Sequence, residues 1–501
     1  MIRKAIRASL CLAGLVVAGN ALAEDPKFGL NISSDIRADV DRVDKPGFSR
    51  NENRVEGKVS YKANEHIELV AALDAVFIGF TQDNKLMGLT DRTNVDPFRL
   101  ESDAAYVDLL DIAKGLDMRI GRQIVQWGAA DMINPTDNVC PDDLSDPLKF
   151  GKNIANQMIK VDYSPWGSMT FTAIWVPVFR PAQLPVSVNA AMTDATNEFP
   201  FASPQARARG ENLRAIWLDN PDTYDLRTPD VDVDVPDFSF DNSQVALKAE
   251  WEAGGWDMSL SYYKGFDDMP VLIDVKSTVD VMEGEKLGVN SAVKMAYPRM
   301  QVLGFDLSGQ LPFLDNMGFW VEGAVIFPEK KLLSIDLTGV VPGAEVITSP
   351  VVDDNPFFKA TVGADYTPIS WMMLNVQYVR GFIDEFGAYA LGNYMVGVVD
   401  TKFLSDRLGI RVAGITQLPR KDDDIDLPDP ALGLTRDSPS YGAHDNGYIT
   451  SYVFFPQVMV NPWGALEIIG GGYFLFGPKE SKFGQIGAGS SLVFLKAQVG
   501  F

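Results

Sequence analysis

Hydrophobic and polar residues alternate along most of this chain. Over residues 28–40, Phe28, Leu30, Ile32, Ile36, Ala38 and Val40 fall on one parity, and Gly29, Asn31, Ser33, Asp35, Arg37 and Asp39 fall on the other. The period of two returns in Val55, Val59 and Tyr61 against Arg54, Glu56, Lys58 and Ser60. It returns again in Val245, Leu247, Ala249 and Trp251 against Gln244, Lys248, Glu250 and Glu252, and in Phe358, Ala360 and Val362 against Lys359, Thr361 and Asp365. Such alternation predicts strands with one apolar and one polar face. Soluble strands average about five or six residues. Runs of about ten or more match the 9–11 residues that a tilted strand needs to cross a bilayer.

Spans are predicted at 28–41, 53–63, 66–80, 98–111, 116–127, 155–164, 168–179, 242–253 and 256–266. They continue at 298–311, 317–327, 356–367, 370–383, 388–402, 408–417, 446–460, 465–476 and 485–501. The fold expected is all-β, a transmembrane antiparallel up-and-down barrel of about 18 strands, with about 16 if the pair 388–402 and 408–417 is lost. Short turns such as 64–65, 113–115 and 253–255 alternate with long connections such as 128–154, 180–241, 267–297, 328–355 and 419–445. Short periplasmic turns with longer extracellular loops are the asymmetry of outer-membrane barrels. Trp166, Trp256, Trp371 and Trp463 lie in or beside the short turns and predict an aromatic girdle at that interface.

The two ends fit the same address. Residues 1–23 carry Arg3, Lys4 and Arg7, then a short apolar run, then Ala21-Leu22-Ala23, the pattern of a cleaved signal peptide. Residues 24–501 then form a single barrel domain. The final strand alternates through Val493, Leu495, Ala497 and Val499 to the terminal Phe501. An aromatic last residue on such a strand resembles the signal read by the barrel-assembly machinery, so Phe501 is the expected assembly signal.

The net charge of −23, about −26 without the three leader cations, excludes a nucleic-acid partner. With only His66 and His444, and Cys140 as the one cysteine beyond the leader, no catalytic set, zinc set or disulfide is proposed. No cofactor or metal is expected, and the chain is not read as an enzyme. The polar parity supplies the expected lumen wall: Asp35, Arg37, Asp39, Arg54, Glu56, Lys58, Asp117, Arg119, Gln123, Lys248, Glu250, Lys359 and Asp365. Both signs are present, as a water-filled lumen needs. Arg122 and Arg380 fall on the lipid parity, where they could pair with lipopolysaccharide phosphates or simply snorkel, unless a bulge turns Arg122 inward.

One motif stands out. Gly121-Arg122-Gln123 is followed by Trp127-Gly128, Asp131, Asn134-Pro135 and Asp137. Over about 25 residues it resembles a family of outer-membrane proteins catalogued as a domain of unknown function, which carries Gly-Arg-Gln, Trp-Gly and Asn-Pro after a strand. The Gly-Arg-Gln piece is similar, more weakly, to the alginate-export porins. The first resemblance implies a barrel that passes small organic solutes, hydrophobic ones among them.

The connection 180–241 is too long for a mere link. It contains a possible helix over 204–218, then an acidic stretch with Asp222, Asp225, Asp230, Asp232, Asp234 and Asp237. Its candidate gate and solute-contact residues are Phe199, Phe201, Arg207, Arg209, Arg214 and Trp217, with the acidic stretch docking on the arginines. Connection 128–154 is the second candidate for an inward fold. The acidic stretch and Asp422–Asp424 lack the glycine and closing glutamate of a calcium loop. The leading function is an outer-membrane channel or transporter for a small-molecule solute, in contact with membrane lipid and lipopolysaccharide. The alternatives are an export component for a polymer or lipid in an envelope-spanning assembly, or a structural or adhesive barrel.

Overall fold

The computed structural model describes residues 24–41, 46–188, 222–281, 286–340, 343–387, 390–421, 448–478 and 481–501. Within these, antiparallel strands pair neighbour to neighbour until the last meets the first. The first span, Lys27–Asp39, pairs with Gly47–Asn64 on one side and with Leu492–Gly500 on the other. The closing register runs from Asn31 opposite Gly500 to Asp39 opposite Leu492. Closure leaves no unpaired edge, the condition for placing backbone amides and carbonyls in hydrocarbon.

All eighteen expected spans are present, and the uncertain pair is real: Asn393–Phe403 lies against Leu408–Lys421. The fourth span is broken into Phe98–Glu101 and Ala105–Ala113. Among the described residues, the short links between consecutive barrel strands, such as Ala105–Ala113 to Leu116–Gln123 and Gln244–Ala253 to Trp256–Phe266, all lie at one end. At that end Trp166, Trp371 and Trp463 are exposed and Trp256 is half-buried.

The two faces of the wall differ as the alternation demands. Leu30, Ile32, Ile36, Leu247, Leu260, Leu303, Phe305 and Leu495 are exposed on the outside, whereas Asp35, Arg37, Arg54, Asp74, Ser259, Glu322, Thr361 and Gln377 are buried. A belt of exposed leucine and phenylalanine around a closed barrel is stable only in lipid.

The long connections are not plain loops. Val271–Val281, Leu287–Ala296, Lys331–Gly339, Ile347–Val352, Asp230–Asp234 and Tyr224–Leu226 form a second, six-stranded sheet at the long-connection end. Some of its pairings are parallel: Asp230–Asp234 against Ala292–Ala296, and Val275 against Ile335. The acidic alternation at 230–234 is therefore strand pattern, with Asp232 opposite Lys294.

Candidate functional site

Residues 124–155 do not project outward. They leave the strand Leu116–Gln123, fold across the barrel interior and return to Asn156–Trp166. Three residues of the motif explain the departure. At Gly121 the backbone has φ +132, and a β-carbon would collide with the Ala105 carbonyl, so only glycine fits. Arg122 Nε donates to the Ser102 carbonyl, in the gap where the fourth span breaks. This bond ties its guanidinium to the wall. Gln123 is buried beside Met158.

Beyond the motif's first part, Val125, Trp127, Val139 and Cys140 bury themselves against Ile174, Val176, Ala246, Met300, Val302, Ala324, Ile326 and Phe357. These wall residues occupy the inward parity near the long-connection ends of their strands. The inner face turns apolar there because it receives this packed segment.

Polar anchors hold the segment at opposite sides of the barrel. On one side stands Glu322, 0% exposed, on the strand Met317–Pro328. Its Oε2 accepts from the amides of Ala129 (3.0 Å) and Ala130 (3.1 Å), and its Oε1 accepts from Thr136 N and Thr136 Oγ1, both at 2.8 Å. Gly128, at φ +101, has no room for a β-carbon against that carboxylate. Thr361 Oγ1 donates to the Ile133 carbonyl at 3.0 Å, and Asn375 Nδ2 donates to Asp131 Oδ2 at 2.9 Å. On the other side Asp146 meets Arg37 at 2.5 and 2.8 Å and Arg50 at 3.2 Å. Burial pushes the Asp146 carboxyl up, but Arg37, Arg50 and Lys149 more than offset it and hold it at about 2.

Other segments join this inner layer. Gln183 N donates to the Asp142 carbonyl at 2.9 Å, and Asp142 N donates to Asp268 Oδ2 at 2.7 Å. Phe150 stacks on Phe382 at 5.3 Å, and Phe382 also meets Tyr394 and Phe483. Between residues 126–156 and the wall remains a cavity of about 330 Å³. Its lining includes the carboxylates of Asp131, Asp137, Asp142, Asp267 and Asp268, the cations Arg180 and Lys359, and the rings of Phe179, Phe266, Phe357 and Phe382. Lys359 Nζ is directed to the Phe382 carbonyl at 3.0 Å. Burial pushes the Asp137 carboxyl up to about 8. Burial first, then repulsion among neighbouring carboxylates, raises Asp142 and Asp267, and burial raises Asp268.

The residues expected on the polar parity separate into groups. Asp35 and Arg37 bond each other and, through Arg37, the inward segment. Arg54 bridges Asp74 (3.1 Å) and Glu101 (2.7 Å), while Glu56 accepts from Asn31 at 2.7 Å and Asp39 from Ser49 at 2.7 Å. Lys58 is exposed. Arg119 forms a fork with Asp108 (2.6 and 2.9 Å), and Asp117 accepts from the Asp111 amide at 2.6 Å. Lys248 pairs with Glu250 at 3.1 Å and lies 6.0 Å from the Trp127 ring. Asp365 is half-buried on the strand Phe357–Ile369. Of that set, Arg37, Gln123, Lys248 and Lys359 contact the inward segment or line its cavity. Phe199, Phe201, Arg207, Arg209, Arg214 and Trp217 lie outside the described residues, as does the expected helix at 204–218. The decisive residues missed were Glu322, Asp142, Asp146, Asp267 and Asp268. Asp131 and Asp137 already stood inside the motif.

No family model matches the sequence, and no curated protein does either. Solved structures of outer-membrane barrels resemble it to different degrees. Acinetobacter baumannii OccAB1 superposes with a TM-score of 0.50 at 7% identity, covering 97% of this chain and 98% of its own. Acinetobacter baumannii OccAB3 gives 0.48 at 9% identity over 95% and 99%. Pseudomonas aeruginosa OccK2, solved in complex with glucuronate, gives 0.46 at 9% over 96% and 99%. Closure of the sheet, its apolar exterior and the fold shared with OccAB1 lead to one conclusion: the chain is a closed 18-strand β-barrel of the outer membrane.

Proposed function

We propose that this barrel is a channel for small polar organic solutes, with a preference for those bearing a positive charge. The observation that carries the reading is the cavity beside residues 126–142, where five carboxylates face two cations, one of them already directed at a carbonyl. A solute ammonium or guanidinium would relieve the mutual repulsion of Asp142, Asp267 and Asp268, and the phenylalanine faces beside them suit its carbon portion. This lining favours a charged solute over the apolar one that the motif's family implies. The polar inner-face residues around Asp35, Arg54 and Arg119 are proposed as the wall of the aqueous path, and Phe501 as the signal for assembly.

Reversal potentials of the purified protein in planar bilayers under a salt gradient test the reading, together with liposome swelling using amines and carboxylates of equal size. Cation-favouring potentials and faster amine entry are expected. A barrel that does not conduct, or that favours anions, would overturn it.

A further inference from the structure

We infer that Glu322 is the residue that positions the constriction: it holds residues 124–155 across the lumen and so sets the width of the channel. A carboxylate at 0% exposure in a barrel wall is costly unless every lone pair is answered. Here the answer comes from the inward segment alone. Three backbone amides and one hydroxyl, from Ala129, Ala130 and Thr136, converge on the two oxygens. Amides directed at an anion in this way form a binding concavity, and charge-assisted bonds are about twice as strong as neutral ones.

The geometry is that of a staple. Oε2 takes the start of the 129–136 turn and Oε1 takes its end, so both legs of the turn are tied to one wall residue. The surroundings are shaped for this contact. Gly128 leaves the carboxylate room that a β-carbon would fill, and Gly304, on the adjoining strand, leaves room for the Thr136 methyl. The wall's other bonds to this turn, Thr361 to Ile133 and Asn375 to Asp131, each supply a single hydrogen bond. On this account the Trp-Gly and Asn-Pro parts of the motif place the donors that follow them, Ala129, Ala130 and Thr136, against Glu322.

The inference rests on the channel reading above, and the experiment separates the two. Single-channel conductance and the size cutoff for neutral polyethylene glycols are measured for the wild-type chain, Glu322→Ala, Glu322→Gln, Thr136→Val and Gly128→Val. Heat-modifiable migration confirms that each variant has closed its barrel. Glu322→Ala should conduct at least about twofold more and admit larger polymers, because an 18-strand lumen is wide once its filling moves aside. Glu322→Gln keeps volume and one acceptor oxygen and should fall between it and wild type. Gly128→Val disturbs the staple from the segment side while leaving every barrel strand intact, so it decides the matter if Glu322→Ala does not fold. Combining Glu322→Ala with Gly128→Val should add nothing beyond either alone. Folded variants with wild-type conductance and cutoff would overturn the inference. If even the wild type does not conduct, the channel reading falls, and protease cleavage within 124–155 judges the staple: faster cutting in the variants supports it, unchanged cutting overturns it.

Discussion

Arg37 of the first strand and Asp146 of the inward segment form a two-pronged pair, at 2.5 and 2.8 Å, with both side chains almost wholly buried. Across the barrel from Glu322, it fixes the far end of the same segment. Breaking it by Asp146→Ala leaves Arg37 with Asp35 alone. The expected loss is about 3 kcal/mol, the low end for a broken buried pair because one partner remains. Urea unfolding of the refolded barrel measures it. The Asp146 carboxyl is held at about 2, below the ordinary 3.8. Its contribution is therefore complete above the ordinary value and is lost only as pH falls towards about 2. Opening of residues 124–155 at pH 6, read by proteolysis, would contradict this.

The backbone amide of Phe501 donates to the Leu30 carbonyl at 2.8 Å, and the Leu30 amide returns a bond of 3.2 Å to the Phe501 carbonyl. Phe501 thus extends the closing register while its ring stays exposed. Phe501→Asp keeps the backbone bonds but removes the aromatic ring, so it isolates recognition from pairing. Loss of heat-modifiable protein from the outer membrane is expected in cells. Normal folded yield in those cells would show that the ring is not read.

Leu247 and Lys248 test the phase of the wall. Leu247 is exposed on the outer face, whereas Lys248 pairs with Glu250 and faces Trp127 inside. Leu247→Arg should destabilise by about 2–4 kcal/mol if the position lies near the bilayer midplane. Lys248→Ala should cost less than about 1 kcal/mol. Equal unfolding free energies in the two variants would place both residues on the wrong faces.

The barrel was legible in the sequence because each spanning strand shows lipid on one face and water or packed polar groups on the other. The pair Asn393–Phe403 and Leu408–Lys421 was the least legible, which left a count of sixteen open beside eighteen. The second sheet carries the same signal, for instance Val275 and Val279 against Asp274, Lys276 and Asp280 in Val271–Val281. It was passed over because its strands lie between spans, and alternation does not say whether the apolar face meets lipid or another sheet. Connection 128–154 was the second candidate for an inward fold and proves to be the segment that crosses the lumen. Its receptor, Glu322, was not legible: one glutamate on a polar parity looks like any other until the amides opposite it are in place. The acidic cavity is similarly assembled from positions far apart in sequence, Asp142 and Asp268, joined by one hydrogen bond from the Asp142 amide to the Asp268 carboxylate.

The last prediction concerns pH and selectivity. Burial raises Asp137 to about 8 and also lifts Asp142, Asp267 and Asp268 above the ordinary carboxylate range. The charges around them act in both directions: Lys359 favours ionisation of Asp142, Asp267 and Asp268, Glu322 opposes that of Asp137, and Asp384 opposes that of Asp267. A raised carboxyl is neutral at low pH and gains its negative charge only as pH climbs through the shifted value. Cation preference should therefore grow from about pH 5 to about pH 9, well above the range in which ordinary aspartates titrate. Asp267→Asn with Asp268→Asn should flatten the dependence and lower cation preference at the alkaline end. Neither residue belongs to a barrel strand, so the barrel itself should still close. Reversal potentials across a salt gradient, taken over that pH range for wild type and the double variant, provide the measurement. A wild-type curve that stays flat, or a double variant that keeps the full rise, would show that solutes and ions take a path that avoids this cavity.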